Sequence, residues 1–254
     1  MENEEIIISV NNLCKSFAEH SVLSGINLKI KKGSSFVIVG GSGTGKSVLI
    51  KTIIGLMNPT DGEVFVDGQN IHQLAKTKKN ELLKKCGYLF QSGALFDSLT
   101  IEENVTFFAS NIYDLTREDR RNLAKEKLES VGLTERALNL YPSELSGGMR
   151  KRAALARTIC TNPEIIFFDE PTTGLDPVMS NVINELILHI KENLGATCIT
   201  ITHDMNTVRR ISDEVAMIHE GKIIWQGLNK DIKNCDNPIV NQFFEGKTKG
   251  PIKL

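Results

Sequence analysis

The sequence predicts an α/β fold: a mainly parallel sheet covered by helices, with a β-rich start and a helical lobe set into it. Three observations predict it. The short apolar runs "SSFVIVG" and "EIIFFDE" read as buried strands, closing on Gly and on acids, and "TCITITHD" reads as a strand with polar residues at its end. Segments of helical spacing, "KSVLIKTIIGLM" and "PVMSNVINELILHIKENLG", alternate with them. Between about 100 and 161 the strand signal almost vanishes.

Taken in order, "IIISV" and "SGINLKI" read as strands, the second alternating apolar and polar residues. "SSFVIVG" follows as a strand, a Gly-rich loop comes next, and "KSVLIKTIIGLM" is a helix. "PTDGEVFVDGQNI" is a turn, a strand and a turn, and "YLFQSGALF" holds a further short strand. "REDRRNLAKEKLESVGL" is an amphipathic helix stopped by Gly132, and "SGGMRKRAALARTIC" is a helix opened by small residues. After the strand "EIIFFDE" comes a helix ending at Gly195, then the strand "TCITITHD". "EVAMIHEGKIIWQG" is two short strands around Glu220 and Gly221. These readings give one domain over 1–254, with a core over about 1–99 and 162–230, a helical lobe over about 100–161 and a C-terminal extension over about 231–254.

The composition narrows the function. The chain has 254 residues and is 41% hydrophobic, enough for a proper core. Lys and Arg number 30 and Asp and Glu 31, a balance that gives no support to a general binder of nucleic acid or of membrane surfaces. The five cysteines are odd in number and lack metal-ligand spacing, which fits a reducing compartment. The start "MENEEIIISV" is acidic where a signal peptide is basic, and no apolar run reaches the roughly 18 residues that a membrane span needs. Work at a membrane would need another protein to hold the chain there.

The segment "GGSGTGKS" comprises Gly40, Gly41, Ser42, Gly43, Thr44, Gly45, Lys46 and Ser47 and fits G-x-x-x-x-G-K-S without mismatch. It lies after an expected strand and before an expected helix, the context a phosphate-binding loop requires. Glycines let backbone N–H groups converge on phosphate oxygens, and the helix N-terminus adds partial positive charge. Lys46 reaches the terminal phosphates and Ser47 offers its hydroxyl to Mg²⁺. The bland alternative is a Gly-rich turn that happens to contain Lys.

Asp169 and Glu170 end the strand "EIIFFDE". Two carboxylates delivered there by a buried strand are costly unless they meet cations or donors. Beside a phosphate loop, Asp169 is expected at Mg²⁺, directly or through water, and Glu170 at the attacking water. His203 closes "TITH" and is expected to contact the γ-phosphate; Gln91 follows the short strand in "YLFQ" and is expected to complete the Mg²⁺ shell. A lone His is more often structural, and a lone Gln is more often a surface amide. Ser146, Gly147 and Gly148 open a helix and so form a second anion site, although Ser146 also reads as an ordinary N-cap.

In combination, "GGSGTGKS", Gln91, "LSGGM" (145–149), "IIFFDE" (165–170), "GLD" (174–176) and His203 resemble the nucleotide-binding subunit of ATP-binding-cassette (ABC) transporters, in the family's order and over nearly the whole chain. The resemblance implies a P-loop ABC-type domain with a mainly parallel core, an N-terminal antiparallel β part and an inserted helical subdomain. It implies ATP hydrolysis with Mg²⁺, and two copies packed head to tail, each signature loop (Ser146, Gly147, Gly148) closing over ATP held by the other copy's P-loop. Asp176 would lie at the seam between copies. Phe17 falls where the family stacks an aromatic residue on adenine; most members have Tyr there, and a core Phe is the alternative.

Two departures or refinements follow. Met149 stands where most members have Gln, and a thioether is a poor hydrogen-bond acceptor. "FQSGALFDSLTIEENV", "YPSELSGGMRKRAALAR" and the tail "NPIVNQFFEGKTKGPI" resemble the ATPase of Mce/Mla-type phospholipid transport systems. That resemblance implies an integral membrane permease above the subunit, an Mce-domain lipid-binding protein, in some systems a STAS-domain partner, and a place at the cytoplasmic face of the inner or plasma membrane. The tail is expected to dock on the second subunit, with Phe243 and Phe244 as anchors. The other readings are an ABC ATPase for amino acids, metals or peptides, one acting on DNA or in translation, and a P-loop switch protein.

Overall fold

The computed structural model describes residues 5–252. The acidic opening residues 1–4 and the last two of the extension, Lys253 and Leu254, lie outside the described residues. In chain order the first elements are β1 (Ile6–Phe17), β2 (His20–Lys31), β3 (Ser35–Val39), α1 (Lys46–Ile53), β4 (Asp61–Val66), β5 (Gln69–Asn70) and α2 (Lys76–Lys84). Next come β6 (Cys86–Leu89), α3 (Ile101–Ile112), α4 (Arg117–Ser130), α5 (Gly147–Ile159), β7 (Ile165–Asp169) and α6 (Pro177–Leu194). The chain closes with β8 (Thr197–Thr202), α7 (Met205–Ile211), β9 (Glu214–His219), β10 (Lys222–Leu228) and α8 (Pro238–Glu245).

The chain divides into two compact units, Met1–Lys79 with Thr197–Leu254, and Asn80–Ala196. In the first unit an antiparallel sheet has the order β2-β1-β4-β5. A second sheet in that unit has β3 between β8 and β9, both parallel to it, with β10 antiparallel to β9 at the edge. Every residue of β3 and of β8 is buried, as strands with a parallel neighbour inside a covered sheet are, although β8 alternates Thr with Ile. β1 and β2 each run to 12 residues, longer than the expected strands. The register of β1 against β2 shifts between Val10 and Leu13, and such a bulge breaks the alternation by which a strand is read.

In the second unit β6 and β7 pair in parallel, and α3, α4 and α5 fill the stretch expected to be helical. α3 and α4 both open on capping boxes, Thr100 with Glu103 and Thr116 with Asp119, which satisfy leading backbone donors reciprocally. α6 is capped by Asp176 and ends at Gly195 in a left-handed conformation.

The extension departs from the expected arm. Asn237 caps α8, Pro238 takes its first position, and Val240, Gln242 and Phe244 are buried. The Phe244 carbonyl accepts from the Arg209 guanidinium at 3.3 Å, within the same unit. Phe244 is therefore committed to its own core and not free to anchor a second subunit; Phe243 remains half-buried. Gln242 also holds the chain beyond α8, donating to the carbonyls of Lys247 and Ile252, both at 3.2 Å, and accepting from the Ile252 N–H at 2.7 Å.

Candidate active site

The phosphate loop lies in the first unit, between β3 and α1. Two of its glycines are required by close approach. A Cβ on Gly40 would stand 2.4 Å from the Ile218 carbonyl oxygen. Gly45 has φ +98°, and a Cβ there would meet Leu23 at 2.9 Å and the Val22 carbonyl at 3.1 Å. α1 opens on Gly45 with no side-chain cap, so its leading N–H groups keep their capacity to meet an anion. Lys46 is buried, and its Nζ donates to the carbonyls of Gly40 at 2.8 Å and Gly41 at 2.7 Å. Thr44 Oγ1 donates to the Gly41 carbonyl at 3.0 Å, bracing the loop from within. Ser42, Gly43 and Ser47 are exposed.

Two other expected residues belong to the same unit. His203 is exposed and directly follows β8. Its neighbour Asp204 caps α7, accepting from Asn206 N–H at 2.9 Å. Phe17, at the end of β1, is 46% exposed with the Lys15 ammonium 5.0 Å from its ring centroid. It is a surface aromatic, not a core residue.

The carboxylates lie in the second unit. β7 is wholly buried and delivers Asp169, 8% exposed, and then Glu170, also 8% exposed. Tyr88 donates its hydroxyl to Asp169 Oδ2 at 3.3 Å. Burial, and then the Asp169 charge, push the Tyr88 hydroxyl well above the usual phenol range, so it stays a donor. Glu170 has φ +49°, a left-handed conformation that costs a non-Gly residue about 1–3 kcal/mol. Its Oε2 accepts from Thr173 Oγ1 at 3.0 Å.

The structure brings further expected residues to this unit. Gln91 is exposed in the loop after β6. Ser146 caps α5, its Oγ accepting from Met149 N–H at 3.3 Å, so the capping role is real; Ser146 and Gly147 are exposed. A Cβ on Gly148 would come 2.6 Å from Met179 Cε, so the signature turn packs against the first turn of α6. Asp176 caps that turn, accepting from the N–H groups of Val178 at 2.9 Å and Met179 at 3.0 Å. Tyr88, Thr173 and Lys151 escaped sequence reasoning. Tyr88 precedes Gln91 on a strand that reads as core, Thr173 sits in a turn, and Lys151 lies in a basic run that reads as a solvated helix face.

Against known proteins, residues 23–173 match the ABC transporter family. This chain belongs to the ABC transporter family. The ABC chain is 40% identical over 248 residues to the intermembrane phospholipid transport system ATP-binding protein MlaF of Haemophilus influenzae, an alignment spanning 98% of this chain and 94% of that one. It is 41% identical over 222 residues to the methionine import ATP-binding protein MetN of Carboxydothermus hydrogenoformans, spanning 87% of this chain and 65% of that one. Among solved structures it resembles the dimeric ATP-binding cassette MJ0796 bound to ADP and Pi, with a TM-score of 0.81, 33% identity, and coverage of 87% of this chain and 98% of that one. The ABC chain is an ATP-binding, ATP-hydrolysing cassette. No helix among the described residues is long and apolar enough to cross a membrane.

Proposed function

We propose that the ABC chain powers a membrane permease that moves phospholipid between membranes, and that it does so as a head-to-tail pair. The observation that carries the cargo is the reach of the MlaF alignment, 98% of this chain and 94% of the relative, so that it takes in nearly all of the extension as well as the cassette. The methionine-importer likeness is of similar identity but spans 87% of this chain. An amino-acid importer is therefore the second reading.

Mg²⁺ is proposed as the metal. A loop that excludes a Cβ at Gly40 and Gly45 and a buried Asp169 with a donor on one oxygen suit a phosphate-bound hard cation. When bound, Mg²⁺ offsets charge on the β- and γ-phosphates. Ser47, Asp169 and Gln91 would hold it. Lys46 exchanges its loop carbonyls for phosphate oxygens, Glu170 orients and accepts a proton from the attacking water, and His203 contacts the γ-phosphate. Ser146, Gly147 and Gly148 of one copy close over the nucleotide in the P-loop of the second, with Asp176 at the seam. Closure that depends on the γ-phosphate and is lost with it converts hydrolysis into a change of state of the pair.

The second unit offers a surface for the permease. Phe90, Phe96, Phe107 and Phe108 are 38%, 44%, 44% and 40% exposed. They line a cavity of about 450 Å³ with Tyr88 and Ala94, beside the Gln91 loop. Exposed aromatics gathered at one cavity are anchor chemistry for a protein partner. An Mce-domain protein and a STAS-domain protein complete the proposed assembly, at the cytoplasmic face of the inner or plasma membrane.

The test is to purify the complex from membrane through this subunit, identify the permease, and reconstitute it with labelled phospholipid in donor and acceptor vesicles. ATP-dependent lipid transfer abolished by Glu170→Gln is the expected result. A permease that carries amino acids, with no lipid transfer, establishes the second reading.

A further inference from the structure

Lys151 is a lysine where a lysine is expensive. It lies on α5, one turn into the helix that the signature opens, and is only 6% exposed. A buried ammonium persists only when acceptors meet it. Its Nζ donates to the backbone carbonyl of Gln91 and, at 3.4 Å, to that of Glu170. Burial lowers its pKa, and the charges of Asp169 and then Glu170 oppose that shift. Further along the same helix, Arg157 donates to the carbonyls of Gly93 at 2.6 Å and Ala94 at 2.7 Å. A Cβ on Gly93 would lie 3.1 Å from the Ala154 Cβ, so the loop rests directly on the helix. The Gln91 loop is thus held to α5 at two points, and at one of them the same cation also grips the residue that carries the hydrolytic carboxylate.

We propose that Lys151 is a positioning residue for ATP hydrolysis: from the signature helix it holds the backbones of Gln91 and Glu170 in one register. The proposal rests on the reading of Glu170 as the hydrolytic acid. Glu170 sits in a left-handed conformation that its neighbours must maintain, and its own carbonyl is one of the two that Lys151 grips. A displacement of α5 therefore moves the acid and the Gln91 loop together. Lys151 touches neither nucleotide nor water in this role, so its loss should slow the chemical step and leave nucleotide affinity nearly intact.

The experiment uses the full chain and steady-state hydrolysis of Mg·ATP. Lys151→Met keeps the length and removes the donor. It is expected to lower kcat by about tenfold or more with KM changed by less than roughly threefold, and Lys151→Arg is expected to recover most of the loss. If Lys151→Met does not fold, Lys151→Ala, which also lacks a donor, carries the test through the same split. Wild-type kcat in the folded variant, or a loss expressed only in KM, overturns the proposal, whatever happens to the thermal midpoint. Glu170→Gln run alongside separates the two failures: if it hydrolyses at the wild-type rate, the hydrolytic reading falls and the positioning role falls with it.

Discussion

Glu170 is the residue at which backbone, burial and charge converge. It follows a strand buried along its whole length, adopts φ +49° and keeps a hydroxyl donor from Thr173 on one oxygen. Glu170→Gln preserves that shape and removes the carboxylate proposed as the base. The variant is expected to bind ATP, to hydrolyse it about 10² to 10⁴ times more slowly, and to elute as a dimer with Mg·ATP on size exclusion. Lys46 has the complementary position, buried under the loop with two carbonyls on its ammonium. Lys46→Ala should abolish hydrolysis, mainly through weakened binding, as nucleotide titration would show; retained turnover would refute the phosphate role. Phe17 offers a face that is already 46% exposed. Phe17→Ala should raise KM for ATP several-fold, within the ~0.5–1.5 kcal/mol typical of aromatic contacts, and leave kcat nearly unchanged. An unaltered KM would return Phe17 to an ordinary surface role.

At the scale of elements, α5 carries more than its opening turn suggests. Its N-terminus presents Ser146, Gly147 and Gly148, its second signature glycine packs on α6, and its cations Lys151 and Arg157 hold the loop after β6. α3 adds Phe107 and Phe108 to the aromatic cavity. Phe107→Asp is expected to reduce the permease recovered with the subunit while ATP affinity measured on the isolated subunit stays at its wild-type value. Undiminished recovery would remove that surface from consideration. Much of this was legible as sequence. α6 reads from its Pro and its terminal Gly, and α5 from its small-residue opening. α8 was not legible, because an eight-residue helix in a polar tail is short of what periodicity can establish, and its stability comes from burying Val240 and Phe244.

For the whole molecule, the proposed pairing places half of each reaction in another copy. Specific ATPase activity should then fall with dilution, approaching second-order dependence on subunit concentration below the dissociation constant of the pair. Activity per subunit that stays constant into the strictly monomeric range would show that one copy suffices. The extension bears on the same scale: its helix belongs to the first unit's own core, which leaves the segment beyond α8, held by Gln242, as the part of the tail with most surface to offer a partner.

The primary structure by itself determined the fold class, the phosphate loop, the paired acids and the signature, because each depends on residue types at fixed spacing along one stretch of chain. Glycine is needed wherever a backbone must approach an anion, and an apolar strand ending in acids announces itself. Only the tertiary structure decided that Phe17 faces solvent, that Phe244 is internal, that Tyr88 holds Asp169, and that Lys151 grips two distant backbones. Those facts depend on which residues meet across long separations, and the run "RKR" carries no mark of which of its cations is buried.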